Sequence, residues 1–451
     1  MFSPGLNELL KACNGKYNVS TDTRTIKEGD LFIALRGNNF DGHFFLYDAA
    51  GKGAAGAITD RSVIDHKPKI MDFPVFKVKD TLKIYGDIAA AYRLKFNIPL
   101  IGITGSSGKT TTKEMTARVL SVKFKVLSNE GTENNLIGVP KTLLKLTNEH
   151  EIGVVELGSN HFGEIKRLAK ILKPTIGIIT NIGPAHLEFF KSESGVLREK
   201  AALLGALDKN GIAIINADDL LLSRINGLKC RVVRVGIKGR CLDFRASDIV
   251  RENGFINFKV NGKYDFRLNL FSEANVYNAL VAIAVGAIHK IDLTDIAKAL
   301  SGFEPLKGRL GLKKAGSVEI IDDTYNSNPQ SLKAAIEAFA NYKPASTRIL
   351  VCGDMLELGG LSERFHREAG RLAARSGMDY LVSVGNFSDI MKTAALAGGM
   401  EETKVFSCKD NACAVEVLKR ILRPDSVVML KGSRLVRLNE VADAISSFIP
   451  A

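Results

Sequence analysis

Tryptophan is absent from the 451 residues, and the six cysteines (Cys13, Cys230, Cys241, Cys352, Cys408 and Cys413) form no Cys-x-x-Cys pair and no zinc-type Cys/His spacing. A disulfide-stapled module and a zinc module are therefore excluded, and reduced packing thiols are expected. No apolar run approaches the roughly 18 residues that span a bilayer. The opening stretch MFSPGLNELLKACNGK carries neither a signal-peptide core nor a small-residue cleavage site. Together these absences imply a cytoplasmic chain without membrane insertion. Basic tracts are missing too: nothing exceeds pairs such as Lys313-Lys314, and there is no basic-aromatic interleaving of the kind that builds single-strand platforms. The 62 Lys and Arg against 49 Asp and Glu, net +13, thus point to phosphate-bearing small molecules rather than to nucleic acid.

Core material is present in ordinary amount. Hydrophobic residues make up 45% and charged residues 25% of the chain, which excludes disorder and supplies several folded cores. At roughly 100 to 200 residues per domain, three units is the central expectation. Before about Phe96, short strands and polar turns (Ser20 to Arg24, Gly37-Asn38-Asn39, Asp41-Gly42-His43) surround helical stretches such as Leu82 to Leu94. From Pro99, apolar strands recur at Leu100 to Thr104, Ile152 to Leu157, Ile176 to Thr180, Ile212 to Ile215 and Arg231 to Val235. Such spacing predicts a parallel, doubly wound α/β sheet buried on both faces. Asn253-Gly254 and Asn261-Gly262 favour tight hairpin turns, so Phe244 to Leu270 reads as an antiparallel excursion. Helices are expected at Glu273 to Ala287 and Leu293 to Leu300. After Arg309, strands near Val318 to Ile321, Ile349 to Cys352, Tyr380 to Val384, Lys404 to Phe406 and Val427 to Leu430 predict a second doubly wound unit. Ligands of such sheets collect beyond the carboxyl ends of the strands.

The strongest chemical signal follows the first apolar strand: Gly102-Ile103-Thr104-Gly105-Ser106-Ser107-Gly108-Lys109-Thr110-Thr111-Thr112. Glycines let the backbone N–H groups turn inward onto phosphates, the helix N-terminus adds partial positive charge, Lys109 reaches the terminal phosphates, and Thr110 offers a hydroxyl to Mg²⁺. The first position of the common glycine pattern is Ile103, and a ligand-free glycine turn is the alternative. Glu156 leaves the end of a neighbouring apolar strand, where a buried carboxylate costs several kcal/mol, on the order of the desolvation of any buried ion, unless a cation meets it. His186 lies at the same sheet edge, with a capping or packing histidine as the plain alternative. Lys200 alone reads as a solvated lysine.

The phosphate loop, Asn134-Asn135-Leu136-Ile137-Gly138-Val139-Pro140, Glu156-Leu157-Gly158, Thr180 to His186 and Asn275 to Asn278 resemble the Mur ligases, ATP-dependent amide-forming enzymes of peptidoglycan precursor synthesis. Asp322 to Pro329, Gly353 to Gly359 and Lys431-Gly432-Ser433-Arg434 look like the member that adds D-alanyl-D-alanine to UDP-N-acetylmuramoyl-tripeptide. Asp22-Thr23-Arg24, Gly29 to Phe32 and Asp41-Gly42-His43 are similar to the UDP-binding unit of the last two enzymes of that pathway. The chain departs from the family pattern at Thr132, Ala202 and Ala274.

The resemblance implies three α/β domains: an N-terminal UDP-muramoyl-binding unit (1–96), a central doubly wound P-loop ATPase-like unit (97–310) and a C-terminal Rossmann-like ligase unit (311–451). It implies ATP held by Thr104, Gly105, Ser106, Ser107, Gly108, Lys109, Thr110 and Thr111, with Asn278 facing adenine, Arg309 the phosphates and Asp323 the ribose. Two Mg²⁺ ions would be held by Thr110, Glu156, His186 and Lys200, the lysine being carbamylated. Substrate contacts are expected at Thr23, Arg24, His43, Asn134, Asn135, Tyr325, Asn326, Asn328, Lys431 and Arg434. The expected enzyme is a monomer whose C-terminal unit closes on the central one. Two rivals stay open: the ligase that adds the third amino acid, although Asp410-Asn411 is followed by Ala412 where that enzyme has Asp-Asn-Pro-Arg, and a non-catalytic nucleotide switch, although no Asn-Lys-x-Asp motif is present.

Overall fold

The computed structural model describes residues 18–37, 40–61, 73–252, 254–343 and 346–448. Cys13, Asn38-Asn39 of the Gly37-Asn38-Asn39 turn and Asn253 of the hairpin dipeptide lie outside the described residues. Three sheets organise the chain. The first is small and wholly parallel, with Val19–Ser20, Leu31–Ile33, Gly56–Thr59 and Val75–Lys77 side by side in that order.

The second sheet holds the expected apolar strands. Its spatial order is Val126–Ser128, Ile152–Glu156, Leu100–Thr104, Ile176–Ile179, Ile212–Asn216, Arg231–Gly236 and Phe244–Glu252, parallel throughout, and then Phe255–Val260 and Tyr264–Leu268, which are antiparallel. The strands Leu100–Thr104, Ile152–Glu156 and Ile176–Ile179 are buried at every position. Helices must therefore cover both faces. Each fully buried Ile, Leu or Val there contributes about 1.5 to 3 kcal/mol of apolar burial. The third sheet runs Gly311–Ala315, Val318–Asp323, Val427–Lys431, Arg348–Gly353, Tyr380–Val384 and Val405–Cys408, with only the first strand antiparallel.

Contacts between the units are extensive. One apolar cluster joins Ile179, Phe190, Val196 and Ile215 of the central unit to Ile321, Leu332, Phe339 and Met355 of the C-terminal one. The N-terminal helix Thr81–Arg93 packs Ala89 against Leu168 and Leu172, and Arg93 Nε donates to the Leu172 carbonyl at 3.0 Å. The carboxyl ends of the central sheet thus face material from the rest of the chain. No helix among the described residues is long and apolar enough to cross a membrane.

Candidate functional site

Strand Leu100–Thr104 delivers the chain into the glycine loop, and helix Lys109–Leu120 starts from Gly108, which is left-handed at φ +78°. Gly105 has φ +147°, and a Cβ there would lie 2.0 Å from Thr180 Oγ1; one on Gly108 would lie 2.6 Å from Asn278 Oδ1. Neither position tolerates a side chain. Residues leaving the neighbouring strand brace the loop. Thr180 Oγ1 donates to the Ser107 carbonyl at 2.6 Å, Ser107 N donates to Asn181 Oδ1 at 3.0 Å, and Ser106 Oγ donates to the Gly183 carbonyl at 3.0 Å. Thr104 is buried and donates to the Leu157 carbonyl at 2.8 Å, a structural tie. Amide groups at the head of a 12-residue helix are therefore held ready for an anion.

Lys109 Nζ reaches back to the Gly105 carbonyl at 2.9 Å. Desolvation lowers its pKa below the ordinary lysine value; Glu156 opposes the shift and Arg309 adds to it. Glu156 ends its strand almost fully buried, with Oε1 accepting from Asn134 Nδ2 at 2.6 Å. Its other oxygen, Oε2, is buried without a hydrogen-bond partner. A buried anionic oxygen with no donor is costly, and a cation or ligand group is the ordinary remedy.

His186 sits at φ +52° ahead of the short helix Leu187–Phe190, and its Nδ1 lies 2.5 Å from Glu357 Oε2 of the C-terminal unit. The hydrogen bond from His186 holds the Glu357 carboxyl below its usual pKa. Lys200 projects from helix Glu193–Gly205 and is buried, with Nζ donating to Ser159 Oγ at 2.8 Å. Its pKa falls to about 7, first through desolvation and then through Lys109, against the pull of Glu199, Glu164 and Glu156. The adjacent Glu199 is engaged elsewhere, accepting from Gly163 N at 2.6 Å and Ile165 N at 2.7 Å. Among the described residues no three acidic, histidine or cysteine side chains already form a metal-sized cluster. An unmodified Lys200 supplies no acid group, and Glu156 and His186 alone make two ligands.

Glu156, His186 and the loop from Ser106 to Thr111 line one cavity of about 920 Å³. Lys200 stands behind Ser159, which also lines it. The central and C-terminal units meet across this space. Arg309 Nη2 donates to Thr110 Oγ1 at 2.8 Å, and its guanidinium lies 4.2 Å from the Tyr325 ring centroid. The Tyr325 hydroxyl donates to Thr132 Oγ1 at 2.5 Å, and Asn328 Nδ2 donates to the Ser106 carbonyl at 3.3 Å while its Oδ1 caps helix Pro329–Ala340. Asn278 accepts from Thr112 Oγ1 at 3.0 Å and donates to Asn275 Oδ1 at 3.1 Å. Lys431 Nζ lies 2.6 Å from Asp323 Oδ2 and 3.1 Å from the Asn326 carbonyl. Burial raises the Asp323 pKa, and Lys431 opposes it. Both expected ligand contacts therefore hold each other here. Arg434 is exposed, 5.6 Å from the Tyr325 centroid. Asn135 lines the cavity while its Oδ1 accepts from Ile137 N and Gly138 N.

The N-terminal residues stand apart. The Thr23 carbonyl accepts from Lys52 Nζ at 2.7 Å, Arg24 is exposed and paired with Asp22, and His43 bridges Asp41 at 2.5 Å and Asp60 at 3.1 Å. None of the three lines the large cavity. Sequence reasoning missed Asn181, Ser159, Asp219 and Glu357. Asp219 accepts from Ile182 N at 2.7 Å and so steadies the loop that carries His186. Asn181 and Glu357 lie inside segments already singled out; Ser159 and Asp219 carried no local signal.

Comparison with known proteins covers all three units. Residues 17–93 match the Mur ligase family, catalytic domain; residues 103–286 the Mur ligase middle domain; and residues 308–434 the Mur ligase, glutamate ligase domain. The UDP-N-acetylmuramoyl-tripeptide--D-alanyl-D-alanine ligase of Escherichia coli (strain K12) is 36% identical over an alignment 462 positions long, covering 99% of each chain. The crystal structure of MurF from Acinetobacter baumannii is similar at TM-score 0.87 and 32% identity, over 97% of this chain and 98% of that one. MurF ligase from Thermotoga maritima in complex with ADP is similar at TM-score 0.84 and 26% identity, over 96% and 98%. The chain belongs to the Mur ligase family.

Proposed function

We propose that this protein is the ATP-dependent ligase that joins D-alanyl-D-alanine to UDP-N-acetylmuramoyl-tripeptide in peptidoglycan precursor synthesis, working as a monomer in the cytoplasm. The relatives that match it end to end carry that activity in their names, and one related structure holds ADP. The observation that carries the chemistry is the partnerless buried oxygen of Glu156, in a cavity that Lys109 and Thr110 also line.

In this reading, the loop amides and Lys109 take the β- and γ-phosphates of ATP. The tripeptide carboxylate attacks the γ-phosphorus, ADP leaves, and an acyl phosphate forms. The free amine of D-alanyl-D-alanine then attacks the acyl carbon and displaces phosphate. Two anions must meet in the first step, and bound Mg²⁺ supplies the positive charge that offsets their repulsion. Thr110 and Glu156 would hold one ion; Glu156, His186 and a carbamylated Lys200 would hold the other. The residues fit this role: Glu156 has an oxygen to spare, and Lys200 has the lowered pKa that gives a neutral amine able to capture CO₂.

Asn278 would meet adenine, Asp323 the ribose, and Arg309 the phosphates from the junction between the central and C-terminal units. Asn134, Asn135, Tyr325, Asn326, Asn328, Lys431 and Arg434 would orient the acceptor and the dipeptide, whereas Thr23, Arg24 and His43 would hold the uridine nucleotide some distance away. In a division at 1–96, 97–310 and 311–451, the first unit would hold the uridine end of the acceptor, and the other two would share ATP and the reacting ends of the substrates. Phosphate release from ATP tests the assignment. It should require UDP-N-acetylmuramoyl-tripeptide with D-alanyl-D-alanine; release with the dipeptide acceptor and a diamino acid instead would refute it.

A further inference from the structure

The hydrogen bond between His186 and Glu357 ties a side chain of the C-terminal unit directly to a candidate metal-binding side chain of the central one. It is not an incidental surface pair. The Glu188 N–H donates to the Glu357 carbonyl at 3.0 Å, so backbone and side chain of Glu357 grip the same short segment. Glu357 is held at φ +60°, an uncommon conformation for a residue with a Cβ, and His186 at φ +52°. Gly359, at φ +57°, has no room to spare: a Cβ there would lie 3.2 Å from Glu188 Cα. Beside it, a Cβ on Gly183 would lie 2.3 Å from Gln330 Oε1, so the C-terminal unit also seats on the start of the histidine loop.

Two strained residues facing each other across a unit boundary are maintained by more than their ion pair, which is partly exposed and worth little as a stabilising contact. The chemistry of the pair supplies a reason. A carboxylate on Nδ1 fixes the imidazole tautomer that carries its proton there, which leaves Nε2 with a free lone pair and sets the plane of the ring. The Glu357 carboxylate comes from the unit that must dock, whereas Glu156 and Lys200 come from the central unit alone.

We infer that Glu357 is a positioning residue that orients His186 as a metal ligand only when the C-terminal unit is docked, so that closure and binding of the second divalent cation are coupled. This rests on the metal reading of Glu156, His186 and Lys200 given above. Docking presents the aligned imidazole, and the cation, once bound to it, holds the units together.

Mn²⁺ titration of the full chain with a non-hydrolysable ATP analogue, read by electron paramagnetic resonance, tests the coupling. Wild type should show a second site. Glu357→Asn, which tolerates the left-handed backbone but cannot reach His186, should weaken that site by about 10- to 100-fold and spare the first. Glu357→Gln, which keeps the length and an accepting oxygen, should lose less. His186→Ala should abolish the second site, and adding Glu357→Asn to it should cost nothing further. Unchanged Mn²⁺ affinity in folded Glu357→Asn, with the second site lost in His186→Ala, would overturn the coupling and leave the metal reading standing. An unchanged second site in His186→Ala would overturn both.

Discussion

Lys109, part-buried, and Lys200, buried, belong to one site, yet their environments assign them different work. Lys109 keeps a backbone carbonyl and the nearby Glu156 as partners, so it contributes charge. Removing one such electrostatic donor costs about 3 to 4 kcal/mol in the transition state. Lys109→Ala should therefore lower kcat by about 10²- to 10³-fold in steady-state phosphate release, with little change in thermal stability. Lys200 has the opposite use. Its pKa is lowered to about 7, so the neutral amine that captures CO₂ is scarce below that pH and prevails above it. With ¹³C-bicarbonate, a carbamate resonance should appear in the folded protein as pH rises through about 7, and Lys200→Arg should lack it. A resonance that is equally strong at pH 6 would contradict the assignment. At this scale the sequence was informative where a residue closes a strand, as Glu156 does. It was silent where a role depends on a partner far along the chain. The grip of Glu357 on His186 spans 171 positions and that of Tyr325 on Thr132 spans 193, and no local pattern encodes either.

Elements were legible to the extent that one period governed them. The five apolar strands of the central sheet stand where the sequence places them, give or take one residue; Leu100–Thr104, Ile152–Glu156 and Ile176–Ile179 are buried at every position and their sequences are mostly apolar, whereas Arg231–Gly236 alternates and is legible from its valines. Val126–Ser128 and Gly311–Ala315 escaped. The first is three residues long, and the second is an exposed-patterned antiparallel edge whose Lys313 and Lys314 resemble a loop. The glycine loop gives a direct test of element geometry. Gly105→Ala must move either the loop or Thr180, at a strain cost of about 1 to 3 kcal/mol; calorimetry should show ADP affinity falling at least about tenfold. Phe339, wholly buried on helix Pro329–Ala340, belongs to the cluster shared by two units. Phe339→Ala should destabilise the protein by about 3 to 5 kcal/mol in urea unfolding, and the central and C-terminal units should lose stability together.

Over the whole molecule, the cavity is a product of assembly. Thr110 and Glu156 come from the unit built on the second sheet, Tyr325 and Asn328 from the loop that follows strand Val318–Asp323 of the third, and Arg309 from the chain between them, where Gly308 (φ +70°) and Leu310 (φ +56°) turn the backbone. Water inside this space would hydrolyse an acyl phosphate, so docking must precede the first step. Small-angle scattering should show the radius of gyration falling when an ATP analogue, Mg²⁺ and the UDP-linked acceptor are added together; no change would argue against closure. The account depends most on a carboxylate oxygen passing to phosphorus within that closed space. Supplying UDP-N-acetylmuramoyl-tripeptide with ¹⁸O in its reacting carboxylate, together with ATP and D-alanyl-D-alanine, measures this directly by mass spectrometry of the released phosphate. One ¹⁸O atom in each phosphate is the predicted result, and phosphate free of ¹⁸O alongside normal product would contradict it.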